Sequence, residues 1–426
     1  MQAERLLNAL RSGELDERLR PVYGAAALAK TRGRFEPVIE GFCRLFDPER
    51  TRELYLFSAP GRTELGGNHT DHQGGWGLAG SVNMDTLACV ARNDEPIIRV
   101  HSKGHDPVVL DVSDRAIRED ERSCSSALVR GIAAKLDERG YTVGGFDAYT
   151  ETSVLRGSGL SSSAAFEVLT GTIMNCLFCG GELGSTELAK IGQFAENVYY
   201  GKPCGLLDQM ACATGGVIAI DFADPANPDV RRCAVDFERE GYALVVIDSG
   251  ANHSDLDDAY AAIPREMGQV ARFFGAERLH DVDEERFLRE RDKVLAACGE
   301  RPVLRAEHFF AETRRALEQY EALSRGEFQR FLDLVRESGT SSEEKLQNVA
   351  LDRPDGDRLL RVIEKARALA GERGAARVHG GGFAGTAQAY VPLDKLNAFV
   401  EGMEAEFGRG RCHIVQIRNV GGVQLL

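Results

Sequence analysis

The chain has 426 residues, of which 43% are hydrophobic and 28% charged, and its formal net charge is −14. These proportions are typical of soluble globular proteins and exclude the disordered, fibrous and membrane-spanning classes. The excess of acidic residues disfavours nucleic acid or an acidic membrane surface as the main partner, so a small molecule is expected instead.

The first twenty residues, MQAERLLNALRSGELDERLR, lack the apolar stretch and cleavage site of a signal peptide, so the cytoplasm is the expected location. The ten cysteines are scattered and are expected to be free thiols. Cys176-x-x-Cys179 has the spacing of a redox or zinc pair, but no second pair follows. A structural role for this pair is therefore favoured.

Short strand-like runs fill residues 54–112, and their close spacing predicts antiparallel pairing. They include YLFSA, TLACVA, IIRVHS and PVVLDV. From 125 to 200 the pattern changes to a helix, the strand FDAYTETSVL, a Gly/Ser loop and two long helices, of which the second covers 186–200. Strands followed by helices predict an α+β fold.

A second region opens with the apolar strand YALVVIDSG and continues with long charged helices at 255–274 and 306–337. It ends in the strand candidates ARVHG, AQAYV and HIVQI. Because ordinary domains have roughly 100–200 residues, and Pro and Asp cluster near 215–240, the chain is expected to form two closely packed lobes, 1–220 and 221–426.

The Gly/Ser loop VLRGSGLSSSAAF, residues 154–166, lies between a predicted strand and a predicted helix. Glycines let a backbone approach an anion, and serines that cap the helix leave its N–H groups and dipole to favour negative charge. The loop therefore suits a phosphate, although a plain turn with a helix cap is the alternative. The Walker lysine and the dinucleotide glycine spacing are absent, which argues against P-loop and Rossmann proteins.

A second polar segment, APGRTELGGNHTDH at residues 59–72, also follows a predicted strand. Its carboxylate, imidazole and amide groups suit a polyol, and Arg62 suits the charge of a transferring phosphoryl group. The alternatives are a solvated turn and a zinc site made by His69, Asp71 and His72.

With a third segment, VHGGGFAGT at residues 378–386, these motifs resemble, in order, those of galactokinases, within the superfamily of galacto-, homoserine, mevalonate and phosphomevalonate (GHMP) kinases. The resemblance implies an α+β, two-lobed fold, in which lobe 1–220 is ribosomal-protein-like and binds sugar and nucleotide, and lobe 221–426 is ferredoxin-like. It also implies transfer of phosphate from MgATP to the anomeric hydroxyl of galactose. No obligatory protein partner is evident from the sequence. The third segment is expected to support the nucleotide.

The resemblance also implies roles for individual residues. Asp208, in PCGLLDQM at 203–210, becomes the catalytic carboxylate, and Arg62 steadies the phosphoryl charge. The implied sugar ligands are Asn68, His69, Asp71, Gly205 and Tyr260. The implied nucleotide-binding residues are Gly157, Ser158, Gly159, Leu160, Ser161, Ser162, Ser163 and Ala164. Glu196 is expected to hold Mg²⁺ together with the hydroxyl of Ser163 or Ser162.

One position departs from the family pattern, since galactokinases usually read Gly-Glu-His where this chain has Gly67-Asn68-His69. In the family this position contacts the sugar 6-hydroxyl; an amide makes that contact without charge assistance and tolerates a 6-carboxylate. Galactose is thus the expected substrate and galacturonate the alternative. A sugar sensor without activity is a further alternative, because a regulator in the family lacks a Ser-Ala piece; here Ser163-Ala164-Ala165 is intact, which favours catalysis.

Overall fold

The computed structural model describes residues 1–155, 159–251 and 256–426. The helices are α1 (Ala3–Ser12), α2 (Asp16–Tyr23), α3 (Leu28–Phe46), α4 (Ser125–Glu138), α5 (Ser162–Phe178), α6 (Ser185–Phe194), α7 (Leu207–Thr214), α8 (Asp257–Phe273), α9 (Glu284–Arg289), α10 (Arg291–Cys298), α11 (Glu300–Ser324), α12 (Phe328–Ser341), α13 (Arg358–Ala370) and α14 (Leu396–Phe407). The strands are β1 (Tyr55–Gly66), β2 (Trp76–Arg92), β3 (Ile97–Ser102), β4 (Val108–Asp111), β5 (Phe146–Thr152), β6 (Val217–Asp221), β7 (Asp229–Cys233), β8 (Tyr242–Asp248), β9 (Ala375–His379), β10 (Thr386–Pro392), β11 (Cys412–Val415) and β12 (Val423–Gln424).

The first sheet has the order β12-β1-β2-β5-β3-β4, and β6 and β7 extend it from β2. Its strands pair antiparallel, as the sequence predicts, except that β3 and β5 run parallel. Almost every residue of β1 is buried, because helices cover both faces of this part of the sheet.

Helices α4, α5 and α7 pack on one face of the first sheet, and α1 and α3 cover the other. Helix α5 has a buried apolar stripe, which consists of Ala164, Ala165, Val168, Leu169 and Ile173. This packing fixes the N-terminal end of α5, where the Gly/Ser loop enters the helix.

The second sheet is antiparallel, with the order β11-β8-β10-β9, and α13 and α14 pack on it. A core that includes Leu65, Val217, Phe331 and Tyr390 joins this sheet, α12 and the first sheet. The α+β fold with two lobes is therefore confirmed.

The proposed division at 220/221 stays a prediction, because two strands from the second half of the chain lie in the first sheet. Strand β7 pairs with β6, and β12 pairs with β1. The fully buried Arg418 also donates to Asp85 on β2, at 3.0 Å. In the part of the chain described, no helix combines the length and apolar character needed to cross a membrane.

The helix predicted at 186–200 has the predicted bounds but is irregular, and the helix predicted at 306–337 was wrong in its bounds. The first of these is α-helical to Phe194 and continues as a π-helical turn from Ala195 to Tyr200. The helix predicted at 306–337 is interrupted between α11 and α12, where Gly326 adopts a positive φ of 72° that favours glycine.

Candidate active site

Arg62 on β1 and Asp208 in the first turn of α7 form a bidentate ion pair. Arg62 Nε lies 2.6 Å from Asp208 Oδ1, and Nη2 lies 2.7 Å from Oδ2. Burial by itself raises the pKa of Asp208, but the Arg62 charge and hydrogen bonds from Arg62 and Ser161 outweigh it and lower that pKa below its ordinary value. The two predicted catalytic residues are therefore in contact, and Asp208 is held as a carboxylate.

Residues 159–161 of the Gly/Ser loop contact this pair. Arg62 donates from Nη1 to the carbonyl of Gly159 and from its backbone N–H to the carbonyl of Leu160, the latter at 3.0 Å. Ser161, at a positive φ of 57°, donates its hydroxyl to Asp208 Oδ2. Ser161 occupies the N-cap position of α5, but its oxygen is directed to Asp208 and makes no cap hydrogen bond to the helix.

The other predicted nucleotide residues fall into three groups. Ser162 and Ser163 begin α5 and line a cavity of about 170 Å³. Leu160 and Ala164 have buried side chains, so only their backbone can face a ligand. Gly157 and Ser158 lie outside the described residues.

Glu196 lines the same small cavity as the two serines. It lies in the π-helical turn and is 4% exposed, and its Oε2 accepts a 2.8 Å hydrogen bond from Gln209. Gln209 also donates to Glu167, whose other oxygen is buried and has no hydrogen-bond partner among the described residues. Burial and the Glu196 charge raise the pKa of Glu167 well above its ordinary value. A carboxylate next to serine hydroxyls is a set of hard oxygen donors that fits Mg²⁺.

A larger cavity, of about 540 Å³, is lined by Asp208 and Arg62. It is lined by elements of both lobes and by all five predicted sugar ligands, which are Asn68, His69, Asp71, Gly205 and Tyr260. Its size suits a small ligand. The third motif contributes Gly380 and Gly381 to this cavity, and none of its residues, all within the described ranges, lines the cavity beside Glu196. Support of the nucleotide by this motif stays a prediction.

Local structure fixes several of these groups. His69 adopts a positive φ of 59°, and its Nε2 lies 3.1 Å from the carbonyl of Gly381. Burial raises the pKa of Asp71, and a side chain at Gly205 would overlap the Asp71 carboxylate. Tyr260 donates to the carbonyl of Gly382 at 3.0 Å. The first and third motifs therefore meet, although more than 300 residues separate His69 from Gly381.

The Asn68 carboxamide, although at the cavity wall, is used within the protein. Its Nδ2 donates to Glu64 Oε1 at 3.0 Å and to the carbonyl of Gly380 at 2.7 Å. Its Oδ1 accepts from Asn348 Nδ2 at 2.8 Å, and the residue is fully buried. Contact between this side chain and a sugar stays a prediction, and it requires one of these bonds to be replaced.

Sequence reasoning missed residues that hold or line the site. Glu64 lies in the larger cavity wall two residues after Arg62, a spacing that puts both side chains on one face of β1. Glu312 on α11 accepts from the backbone N–H of Gly67 at 3.1 Å. The strand period could have indicated Glu64, whereas nothing local in the sequence links α11 to the first motif.

The zinc alternative finds no support in the described ranges, where no three His, Cys, Asp or Glu side chains gather in a way that could hold a metal. His69 and His72 lie side by side, with ring centroids 5.9 Å apart. All ten cysteines are free, and Cys179 is buried, as expected for thiols with a structural role.

Comparisons with known proteins agree with this geometry. Residues 127–216 match the model for the N-terminal domain of GHMP kinases, and residues 40–92 match the galactokinase galactose-binding signature. The chain is 31% identical over 372 residues to a galactokinase of Streptomyces coelicolor, covering 84% of this chain and 92% of the relative. It is 30% identical over 351 residues to a galactokinase of Mannheimia succiniciproducens, covering 82% and 87%.

Solved structures show the same fold. Lactococcus lactis galactokinase complexed with galactose aligns with a TM-score of 0.78 at 24% identity, over 92% of this chain and 100% of that chain. L. major mevalonate kinase in complex with R-mevalonate aligns with a TM-score of 0.58 at 16% identity, over 87% and 97%. The comparisons confirm the resemblance that the three motifs predict.

Proposed function

The chain belongs to the galactokinase family of GHMP kinases, and from this premise we propose that it uses ATP to phosphorylate the anomeric hydroxyl of galactose. The observation that carries the proposal is the Arg62–Asp208 pair, which lines the larger cavity and accepts a hydrogen bond from Ser161, the residue that precedes Ser162 and Ser163. One cavity holds the predicted sugar ligands, and the other is lined by Ser162 and Ser163. Phosphoryl transfer needs an acceptor site and a donor site that both reach the catalytic groups.

Asp208 orients the attacking hydroxyl in the proposed reaction. The sugar oxygen forms its bond to the γ-phosphorus while the bond from that phosphorus to the leaving oxygen of ADP breaks, and the hydroxyl proton passes to Asp208. Because Arg62 lowers the pKa of Asp208, this carboxylate is a weak base and takes the proton as the new oxygen–phosphorus bond forms. Arg62 offers its remaining N–H groups to the phosphoryl oxygens.

Mg²⁺ is the ion that we assign to the smaller cavity, with Ser163 or Ser162 and Glu196 as its protein ligands. When bound, it neutralises charge on the phosphates of ATP. The support for these ligands is the oxygen donor set and the burial of Glu196, which lies beside no arginine and pairs only with the largely exposed Lys202, at 3.5 Å, among the described residues.

The test is release of ADP with galactose, galacturonate, N-acetylgalactosamine and arabinose, followed by NMR identification of the phosphorylated carbon. We expect turnover with galactose, and phosphate on C1. A chain that binds galactose and ATP but releases no ADP would instead act as a sensor, and phosphate on another carbon would contradict the assigned role of Asp208.

A further inference from the structure

Glu64 presents one carboxylate oxygen to the larger cavity. The residue is 8% exposed and lies in the cavity wall, on the same face of β1 as Arg62. Its Oε1 accepts from Asn68 Nδ2 at 3.0 Å and from Arg377 Nη2 at 2.8 Å. No residue in the described part of the chain donates to Oε2, so this oxygen is available to a ligand.

Arg377 fixes the orientation of this carboxylate. It is fully buried on β9, where it donates to the carbonyl of Leu65 at 3.1 Å and to the carbonyl of Val378 at 2.9 Å, besides its bond to Glu64. A buried arginine with three fixed acceptors does not turn toward a ligand. Glu64 is therefore a preorganised acceptor, and its charged partner is shielded from the cavity.

Asn68 cannot offer an equivalent group, because its carboxamide is fully buried and its amide hydrogens and oxygen already have protein partners. The negative charge at this part of the wall therefore belongs to Glu64. Two residues along a strand span about 6.6 Å. Glu64 is thus separated from Arg62 by about the width of a pyranose ring. Arg62 lies where the anomeric hydroxyl reacts.

We propose that Glu64 Oε2 accepts a hydrogen bond from a sugar hydroxyl remote from the anomeric carbon, at C4 or C6, and that its charge excludes sugars with a carboxylate there. The inference rests on the proposed function and selects between its two candidate substrates. A carboxylate placed against Glu64 suffers like-charge repulsion in a cavity of low dielectric, so galactose is accepted and galacturonate rejected.

The test compares wild-type protein with Glu64→Gln, which keeps the shape of the side chain and removes its charge. The measured quantity is kcat/KM for galactose, for its 2-, 3-, 4- and 6-deoxy derivatives and for galacturonate. In wild-type protein, kcat/KM for the 4- or the 6-deoxy sugar should be about 10- to 100-fold lower than for galactose, the range for a hydrogen bond to a charged group. In Glu64→Gln this decrease in kcat/KM should become at least several-fold smaller, while the other deoxy sugars behave as with the wild type. The kcat/KM for galacturonate should rise at least about tenfold relative to that for galactose.

The matched control is Glu312→Gln, a buried carboxylate on α11 that bonds the backbone of Gly67 but is not in the cavity wall. It should change kcat/KM by a common factor for all sugars. A Glu64→Gln profile parallel to that of the wild type would overturn the inference, whereas absence of galactose turnover in wild-type protein would overturn the proposed function.

Two further measurements keep the inference testable. If a variant shows no turnover, calorimetric Kd values for the same sugars give the dependence on each hydroxyl instead of kcat/KM. If Glu64→Gln does not fold, Glu64→Asp withdraws the carboxylate by one methylene. The loss on removing the C4 or C6 hydroxyl should then become smaller, while galacturonate remains a poor substrate. An unchanged loss would count against a hydrogen bond to Glu64.

Discussion

Asp208 carries a low pKa because Arg62 and Ser161 both bond its carboxylate. A carboxylate with a lowered pKa is ionised at neutral pH, and it serves better to orient a hydroxyl than to hold a proton. Removing its charge should therefore affect the chemical step more than the binding of sugar.

We expect Asp208→Asn to lower kcat by about 10²- to 10⁴-fold, the usual contribution of a general base, while the Kd for galactose changes little. Steady-state ADP release and calorimetry measure the two quantities. The exposed Asp333→Asn on α12 serves as the control and should behave as the wild type. Turnover near the wild-type rate would rule out the catalytic role of Asp208.

At the scale of residues, the sequence motifs predicted which residues line the cavities. They predicted less well what each side chain contacts. Asn68 and Ser161 were predicted to bind ligands. In the structure the Asn68 side chain donates to Glu64 and Gly380, and the Ser161 hydroxyl donates to Asp208. These partners are distant in sequence, and a motif shows only the residues inside it.

At the scale of elements, α11 holds the first motif in place through Glu312. The carboxylate is fully buried, accepts from Gly67 N–H and from the Ser338 hydroxyl, and forms an ion pair with Arg315. Burial alone raises the pKa of Glu312, but the charges of the neighbouring His308 and Arg315 and further polar groups lower it to about 2, from an ordinary value of 4.5. The ionised form is therefore strongly favoured in the folded protein.

Glu312→Gln should lower the free energy of unfolding at pH 7 by up to about 3 kcal/mol, the order set by this pKa difference. Because the folded-state pKa lies below that of the unfolded chain, the stabilisation is complete above pH 4.5 and is lost as the pH falls toward 2. Urea denaturation between pH 3 and 7 should show the gap between variant and wild type narrowing below pH 4.5. The control is Glu318→Gln on the exposed side of α11, and a gap that is independent of pH would contradict the account.

Periodicity predicted the presence of most elements but missed their irregular ends. The sequence pattern of residues 186–200 is helical, yet the chain adds a π-helical turn from Ala195, the segment that carries Glu196. A π turn inserts a residue into the hydrogen-bond ladder without changing composition, so an apolar stripe does not indicate it. The break at Gly326, in contrast, had a signal, because glycine commonly ends a helix.

At the scale of the molecule, the last residues of the chain stabilise the first sheet. Arg418 is fully buried and donates to Asp85 and Ser58 and to the carbonyls of Val420 and Gly421. A boundary predicted from Pro and Asp clusters cannot anticipate a return of the chain to the first sheet, because composition carries no information about which strands pair.

Arg418→Met should destabilise the protein by about 3–5 kcal/mol, because it leaves buried polar groups, including part of the Asp85 charge, without a partner. Arg34 still pairs with Asp85, which places the expected value at the lower end. Thermal and denaturant unfolding measure the effect. Arg325→Met, which breaks an exposed ion pair with Glu321, is the control and should cost less than about 1 kcal/mol. Equal costs for the two variants would contradict the structural role of Arg418.

The hydrogen bonds around Asn68 also bear on how this enzyme could be redesigned. Glu64, Asn68, Asn348 and the carbonyl of Gly380 come from three segments of the chain and share one closed network. A graft of the first motif from another kinase would bring in only part of that network and leave buried donors and acceptors from the other two segments unmatched. To change the sugar preference by grafting, all three segments therefore have to be exchanged together.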